Sequence, residues 1–306
     1  MPTQKYVVII FQAGKNSYID PNTFYKLQLQ LDKVITTKKN NTEIDVWLDS
    51  PGGDAHTAYK LWLELRTRAN KLRAWVPDFA KSAATLFVLG MDEIYMAPSA
   101  ELGPLDVQIE HPDRENITVS ALDVSNALDY LSNFAVQLAI LGGAELVKYT
   151  HLSRSEVLKE VLPFTAKLIK PCIDKIDPTL TRRAVVQLQV AEHYAQKMLA
   201  ERNVTEQQRL SAEDTKTLIT KLVGDYPVHQ CVIGREEAKT LKLPVYNAED
   251  KPQWTKLKKV YEQFMKSRTP LLTVLLDSKQ AIQVKGKNDK KKKKANNKQK
   301  GAASED

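Results

Sequence analysis

Cysteine is nearly missing from this chain. Cys172 and Cys231 are the only two among 306 residues, and they stand far apart with no metal-type spacing. That argues against a disulfide framework or a cysteine zinc site, and both side chains are read as reduced thiols. Long apolar runs are scarce too. Tyr6 to Phe11 is strand-like in length and is not the core of a secretory leader. The stretch from Ala135 to Val147 is broken by Gln137, Gly142, Gly143 and Glu145, so it is expected to be too short and too polar to cross a bilayer. Together these absences predict a soluble, cytoplasmic protein. No internal repeat is visible, and nothing in the spacing of side chains calls for a metal or any other cofactor.

A basic folded surface is also missing. The net charge is +8, but residues 279–306 hold ten lysines against Asp289, Glu305 and Asp306, which leaves +1 for residues 1–278. The folded part is therefore close to neutral. The tail 279–306 has too little apolar surface to fold alone and is expected to be disordered. Its five consecutive lysines, Lys290 to Lys294, suit a weak, salt-sensitive contact with nucleic acid or an anionic membrane. No aromatic stacking platform accompanies them, which argues against specific recognition.

What is present is an alternating pattern. Tyr-Val-Val-Ile-Ile-Phe within Lys5 to Gln12 is a continuous apolar run typical of a strand covered on both faces. Asp20-Pro21 offers a cap and a first-turn proline for a helix to about Thr37, with Phe24, Leu27, Leu31 and Val34 at helical spacing. A strand over Thr42 to Leu48, a helix over Ala55 to Ala69, a strand over Leu72 to Val76, an apolar helix from Ser82 to Gly90 and a strand over Glu93 to Met96 follow. This β-α-β-α-β-α-β order predicts an α/β fold with a parallel sheet and right-handed crossovers. Helices dominate afterwards, near 119–147, 153–172, 179–202 and 210–223, with a strand at Val228 to Ile233 and helices at Arg235 to Leu241 and Trp254 to Met265.

Two strand ends stand out. Trp47-Leu-Asp-Ser-Pro-Gly-Gly-Asp54 places adjacent glycines between a strand and a helix, where the backbone can approach a ligand closely. Phe79-Ala-Lys-Ser-Ala-Ala-Thr-Leu-Phe87 repeats the arrangement one strand later, with a serine at the turn. Both lie at strand C-terminal ends, where open α/β sheets bind ligands. A serine there can attack a carbonyl while nearby N–H groups hold the anion that forms. The plainer alternatives are a glycine turn needed only for its geometry and a serine that merely caps a helix.

Together with Asp92-Glu-Ile-Tyr-Met96, Leu102-Gly-Pro-Leu-Asp106 and the distal Tyr226-Pro-Val-His229, these stretches resemble the Clp-protease/crotonase superfamily. They are most similar to the serine dehydrogenase proteinase family, which is related to signal peptide peptidase A. The resemblance covers about residues 40–110 and, more thinly, 225–246. It implies a Clp/crotonase-like β-β-α spiral with additional C-terminal helices. The expected division is a catalytic core over 1–150, a helical extension with a short β/α return over 151–278, and the tail over 279–306. It further implies hydrolysis of a peptide or protein substrate and assembly into a homo-oligomer. By resemblance Ser82 is the nucleophile, Gly52, Gly53 and Ala83 form the oxyanion hole, and Asp106 and His229 are catalytic candidates.

The base stays unassigned at this level. No histidine occurs between Ser82 and His111, and no lysine between Lys81 and Lys148. Lys81 neighbours Ser82, but consecutive residues entering a helix diverge in direction. His111 lies on a polar loop, whereas His56, His151 and His193 read as ordinary helix-face residues. Two other readings follow: a degenerate member kept as a binding scaffold, and a crotonase-like acyl-thioester enzyme. Phe134, Leu138, Leu141 and Leu146 are the expected oligomer contacts, with ordinary core as the alternative.

Overall fold

The computed structural model describes residues 2–12, 18–36, 39–111, 117–226, 228–267 and 269–276. The tail 279–306, with Lys290 to Lys294, lies outside the described residues. By compactness the chain forms two units, one of residues 1–105 with 192–306 and one of residues 106–191. The division by compactness falls after Leu105, whereas the expected boundary is 150/151.

The first unit is built on a six-stranded sheet. Strands β1 (Gln4–Phe11), β2 (Thr42–Asp49), β3 (Lys71–Val76), β5 (Glu93–Met96), β10 (Val245–Asn247) and β11 (Leu271–Leu276) lie in the order β10-β5-β3-β2-β1-β11. All neighbours are parallel except β11, which runs antiparallel to β1. The alternation seen in the sequence therefore produces the expected mixed α/β fold with a mostly parallel sheet. β1 is buried from Tyr6 to Phe11, as its unbroken apolar run requires.

Three helices of this unit follow their local signals. α1 (Pro21–Val34) is capped by the Asp20 carboxylate, which accepts from the Thr23 N–H at 2.6 Å. It stops at Val34, short of the expected Thr37. α2 (Ala55–Arg68) is capped by Asp54, which accepts from Thr57 N–H at 2.8 Å. α3 (Ala83–Leu89) is buried at every residue. On one side of the sheet Val7, Ile9, Phe11, Trp47, Trp75 and Tyr95 pack with Leu257, Val260 and Phe264 of α9 (Pro252–Ser267), which follows α7 (Ala212–Thr220) and α8 (Arg235–Thr240) in the chain. A buried ion pair locks α2 to the turn before β5: Arg66 grips both oxygens of Asp92 at 2.6 and 3.2 Å. Asp92 also accepts from the Leu72 and Asn203 N–H groups at 2.7 and 2.6 Å, so its buried charge is well compensated.

A small second sheet sits at the site. β4 (Phe79–Ala80) runs parallel to β6 (Glu101–Leu102), which pairs antiparallel with β9 (Ile233–Gly234). The expected strand at Val228 to Ile233 is reduced to that two-residue β9, because Val228 to Gln230 form a bend and turn instead.

The second unit contains a two-stranded hairpin, β7 (Gln108–Glu110) with β8 (Thr118–Ser120), then α4 (Ala121–Thr150), α5 (Arg154–Ile173) and the first part of α6 (Pro178–Ala200). α4 begins with Ser120 accepting from the Asp123 N–H at 3.0 Å. α5 begins with a reciprocal Ser153–Glu156 capping box. Val157, Val161, Thr165 and Ile169 form the buried stripe of α5.

α4 corrects one expectation. Gly142 and Gly143 do not interrupt it, and it runs unbroken for 30 residues with a mean hydropathy of 1.3 over its most apolar window. It is long and apolar enough, by length and composition, to cross a membrane. Only Ala121 and Gly143 of α4 are buried.

Candidate active site

The two glycine- and serine-bearing turns are sewn together by backbone. The Ser50 N–H donates to the Phe79 carbonyl at 3.1 Å, and the Lys81 N–H donates to the Ser50 carbonyl at 3.1 Å. This places the end of β2 against the entry to α3. The Ser50 hydroxyl donates to Gln12 Oε1 and accepts from the Gly52 N–H at 3.1 Å. The Gly52 carbonyl accepts from the Ile19 N–H at 2.7 Å, and the Asp54 N–H donates to the Ile19 carbonyl at 2.8 Å.

Both glycines are required by geometry. Gly52 has φ +105° and Gly53 φ +141°, a region that side-chain-bearing residues rarely enter. A Cβ on Gly52 would fall 2.5 Å from the Lys81 carbonyl oxygen and 3.0 Å from Ser82 Cβ. A Cβ on Gly53 would fall 2.4 Å from the Ile19 carbonyl oxygen. Gly52 is therefore what lets the turn close directly onto Ser82.

Ser82 itself has φ +50° and ψ −120°, and its side chain makes no capping hydrogen bond to α3. The reading of Ser82 as a plain N-cap does not fit. A non-glycine residue in such a conformation costs on the order of 1–3 kcal/mol and persists only where its surroundings over-determine it. Here they do so from both sides. The Ser82 carbonyl accepts from the Leu86 N–H at 3.0 Å and the Lys81 carbonyl from the Ala84 N–H at 2.9 Å. The Thr85 hydroxyl donates to the Ala80 carbonyl at 2.7 Å and accepts from the Gly103 N–H at 3.0 Å. The Ala83 N–H, at the first position of α3, has no acceptor within the helix. Gly53 is exposed, and Ser82 is half-buried.

Lys81 points away from the serine. Its ammonium pairs with Glu101 at 2.8 Å and donates to the carbonyls of Leu102 at 3.2 Å and Cys231 at 3.1 Å. Those three partners use the three donors of the group, so Lys81 braces β6 and the segment before β9. By holding Cys231 it also fixes the turn that contains half-buried His229, two residues earlier in the chain. Asp106 is buried and accepts from Gln108 Nε2 at 3.2 Å and from the Leu122 N–H at 3.4 Å, at the start of α4. It belongs to the second unit, and Ser82 to the first. The Ser82 hydroxyl has no hydrogen-bond partner among the described residues. The half-buried His111 takes part in backbone pairing, its N–H donating to the Ile117 carbonyl at 2.8 Å.

Beneath the glycine turn lies a support that sequence reading missed. The Tyr261 hydroxyl, from α9, donates to the buried Asp49 carboxylate and stands 3.3 Å from Asp78 Oδ2. Burial, then the bond to Asp49, pushes the Tyr261 phenol far above its usual range, so it stays a neutral donor. Ser50 and Asp49 were legible as part of the quoted motif. Gln12 and Tyr261 carry no local signal, since each acts only through a distant partner. Among the described residues no cluster of histidine, cysteine or carboxylate side chains could hold a metal ion.

Comparison with known proteins bears on this site. Among curated proteins, two uncharacterized proteins of Methanocaldococcus jannaschii, MJ1495 and MJ0137, are each 32% identical over 77 residues, or 25% of this chain. The match covers 26% and 27% of their lengths, so the chain spans about a quarter of these relatives. Among solved structures, a serine-to-alanine mutant of the 1510-N membrane-bound stomatin-specific protease is 16% identical with a TM-score of 0.31, covering 52% of this chain and 70% of that one. A lysine-to-alanine mutant of the same protease, in complex with a substrate peptide, is 18% identical with a TM-score of 0.30, covering 52% and 65%. Residues 29–128, which carry both turns and Ser82, match the ClpP-like SDH-type serine proteinases, the same resemblance that the two motifs show in the sequence.

Proposed function

We propose that the protein is a serine peptidase in which the Ser82 hydroxyl attacks a peptide carbonyl. The new bond joins Oγ to the carbonyl carbon, the carbonyl electron pair moves to the oxygen and the hydroxyl proton passes to the base. Collapse of the adduct breaks the C–N bond as that proton goes to the leaving amine, and water then releases the acyl group. The N–H groups of Gly53 and Ala83 are the donors assigned to that oxyanion. Gly52 has a different part, because its N–H already serves Ser50 and its missing side chain admits Ser82. The observation that carries this reading is the strained, uncapped Ser82 held against Gly52. A serine kept in a costly conformation without a structural bond of its own is placed for chemistry.

His229 is the base we assign, because Lys81 binds the carbonyl two residues after it and is itself fully engaged. Asp106 is left to brace the start of α4. The test is a fluorophosphonate probe followed by mass spectrometry. Labelling at Ser82, slowed at least about tenfold by His229→Ala, is the expected result. A wild-type protein that resists the probe would overturn the assignment and favour the scaffold reading, which the unpartnered Ser82 hydroxyl supports.

We also assign self-association to α4 and α5. Phe134, Leu141 and Leu146 are exposed, together with Tyr130, Val136, Ile140, Leu162 and Phe164. An apolar surface of this extent marks an interaction site. Light scattering at micromolar concentration should show an oligomer, and a monomer would contradict it.

A further inference from the structure

An aromatic stack stands directly beyond the glycine turn. Tyr194 of α6, beyond the start of the first unit's second segment at Glu192, lies flat on Tyr59 of α2, with ring centroids 4.2 Å apart and planes 4° from parallel. Tyr59 in turn stacks toward buried Trp62 at 5.7 Å, and His56 meets Tyr194 edge-on at 5.6 Å. His56 Nδ1 lies 2.9 Å from the Tyr194 hydroxyl. His56 is thus tied into a cluster and is not the ordinary helix-face residue expected from sequence.

The stack is close to the site by construction. Gly53 is followed by Asp54, the cap of α2, and His56 and Tyr59 stand three residues apart on one side of the first turns of that helix. Ala55 to Tyr59 is only about 6 Å of helix rise. Burial, then Tyr59 and Asp54, hold the Tyr194 hydroxyl above the ordinary phenol range. Gly53, His56 and Tyr194 are each exposed or half-buried, so this side is open to solvent.

We propose that Tyr59 and Tyr194, with His56 at their edge, form a subsite for an apolar, preferentially aromatic, side chain of the peptide that the Ser82 site takes. The proposal rests on the peptidase reading. Stacked rings give a flat apolar surface that loses little conformational entropy on binding, and the Tyr194 hydroxyl and His56 supply a polar rim. A phenylalanine side chain on this shelf is worth about threefold to tenfold in affinity.

The experiment uses full-length Ser82→Ala protein, which binds without turnover, and fluorescein-labelled hexapeptides that differ only by phenylalanine or serine at one position. Anisotropy should show the phenylalanine peptide binding about threefold to tenfold more tightly. Adding Tyr194→Ala should erase the preference, and adding Tyr194→Phe, which keeps the ring, should retain it. His56→Ala, at an exposed position, should narrow it even where Tyr194→Ala reduces stability. Equal affinity for the two peptides, no binding of either, or a preference that survives Tyr194→Ala would overturn the subsite. The wild-type fluorophosphonate reaction is read separately. If Ser82 does not label while the preference holds, the peptidase reading fails and the aromatic shelf stands as a peptide-binding surface.

Discussion

Helices α3 and α4 are both rich in apolar residues, and their surroundings are opposite. Every residue of α3 is buried, whereas only Ala121 and Gly143 of the thirty in α4 are. α3 is therefore held on all sides, and this is why Ser82 at its entry can keep a conformation that an isolated turn would relax. α4 has apolar residues around most of its circumference, and among the described residues of its own unit it packs chiefly on α5. Composition alone thus separates neither case: the same kind of helix is a rigid mount in one place and an open surface in the other.

The largest expected effect breaks the comparison with one substitution made twice. Val88→Asp buries a carboxylate where the side chain is fully covered, and should cost at least about 4 kcal/mol, enough to unfold the first unit. Circular dichroism during urea titration would show it, and a cooperative transition at the wild-type midpoint would contradict the account. Ser82→Ala separates the mount from the chemistry. It should abolish turnover by a factor of about a thousand or more, while stability changes little, because no capping bond is lost. An alanine variant that still cleaves any substrate of the wild type would remove Ser82 from the mechanism.

Asp92→Ala tests the frame that holds α2 beside α3. It leaves the Arg66 guanidinium buried without its carboxylate and should cost about 3–5 kcal/mol. A loss below about 1 kcal/mol, within the range for exposed ion pairs, would mean that solvent reaches the pair. Smallest in stability is Val136→Asp on α4, where the side chain is 57% exposed. It should stay within about 0.5 kcal/mol of wild type and instead reduce the assembly size seen by light scattering. An unchanged oligomer would move the interface away from this face.

Much was determined by the sequence alone. Period and punctuation specify β1, β2, β3, β5 and α1 to α3, because each is a local choice: apolar runs of strand length, Asp20-Pro21 and Asp54 as caps, and Gly52-Gly53 where only glycine tolerates the backbone. The two turns were legible for the same reason. Tertiary structure alone decided the rest. β11 joins the sheet by pairing with β1 across the whole chain, and Tyr261 reaches Asp49 only because α9 packs beneath the turn. Lys81 stands beside Ser82 in sequence and yet spends its charge on Glu101 and the carbonyls of Leu102 and Cys231. The stacking of Tyr194 on Tyr59 belongs to the same class. These contacts depend on three-dimensional packing between distant segments, and no periodicity along the chain encodes which side chain will find which partner.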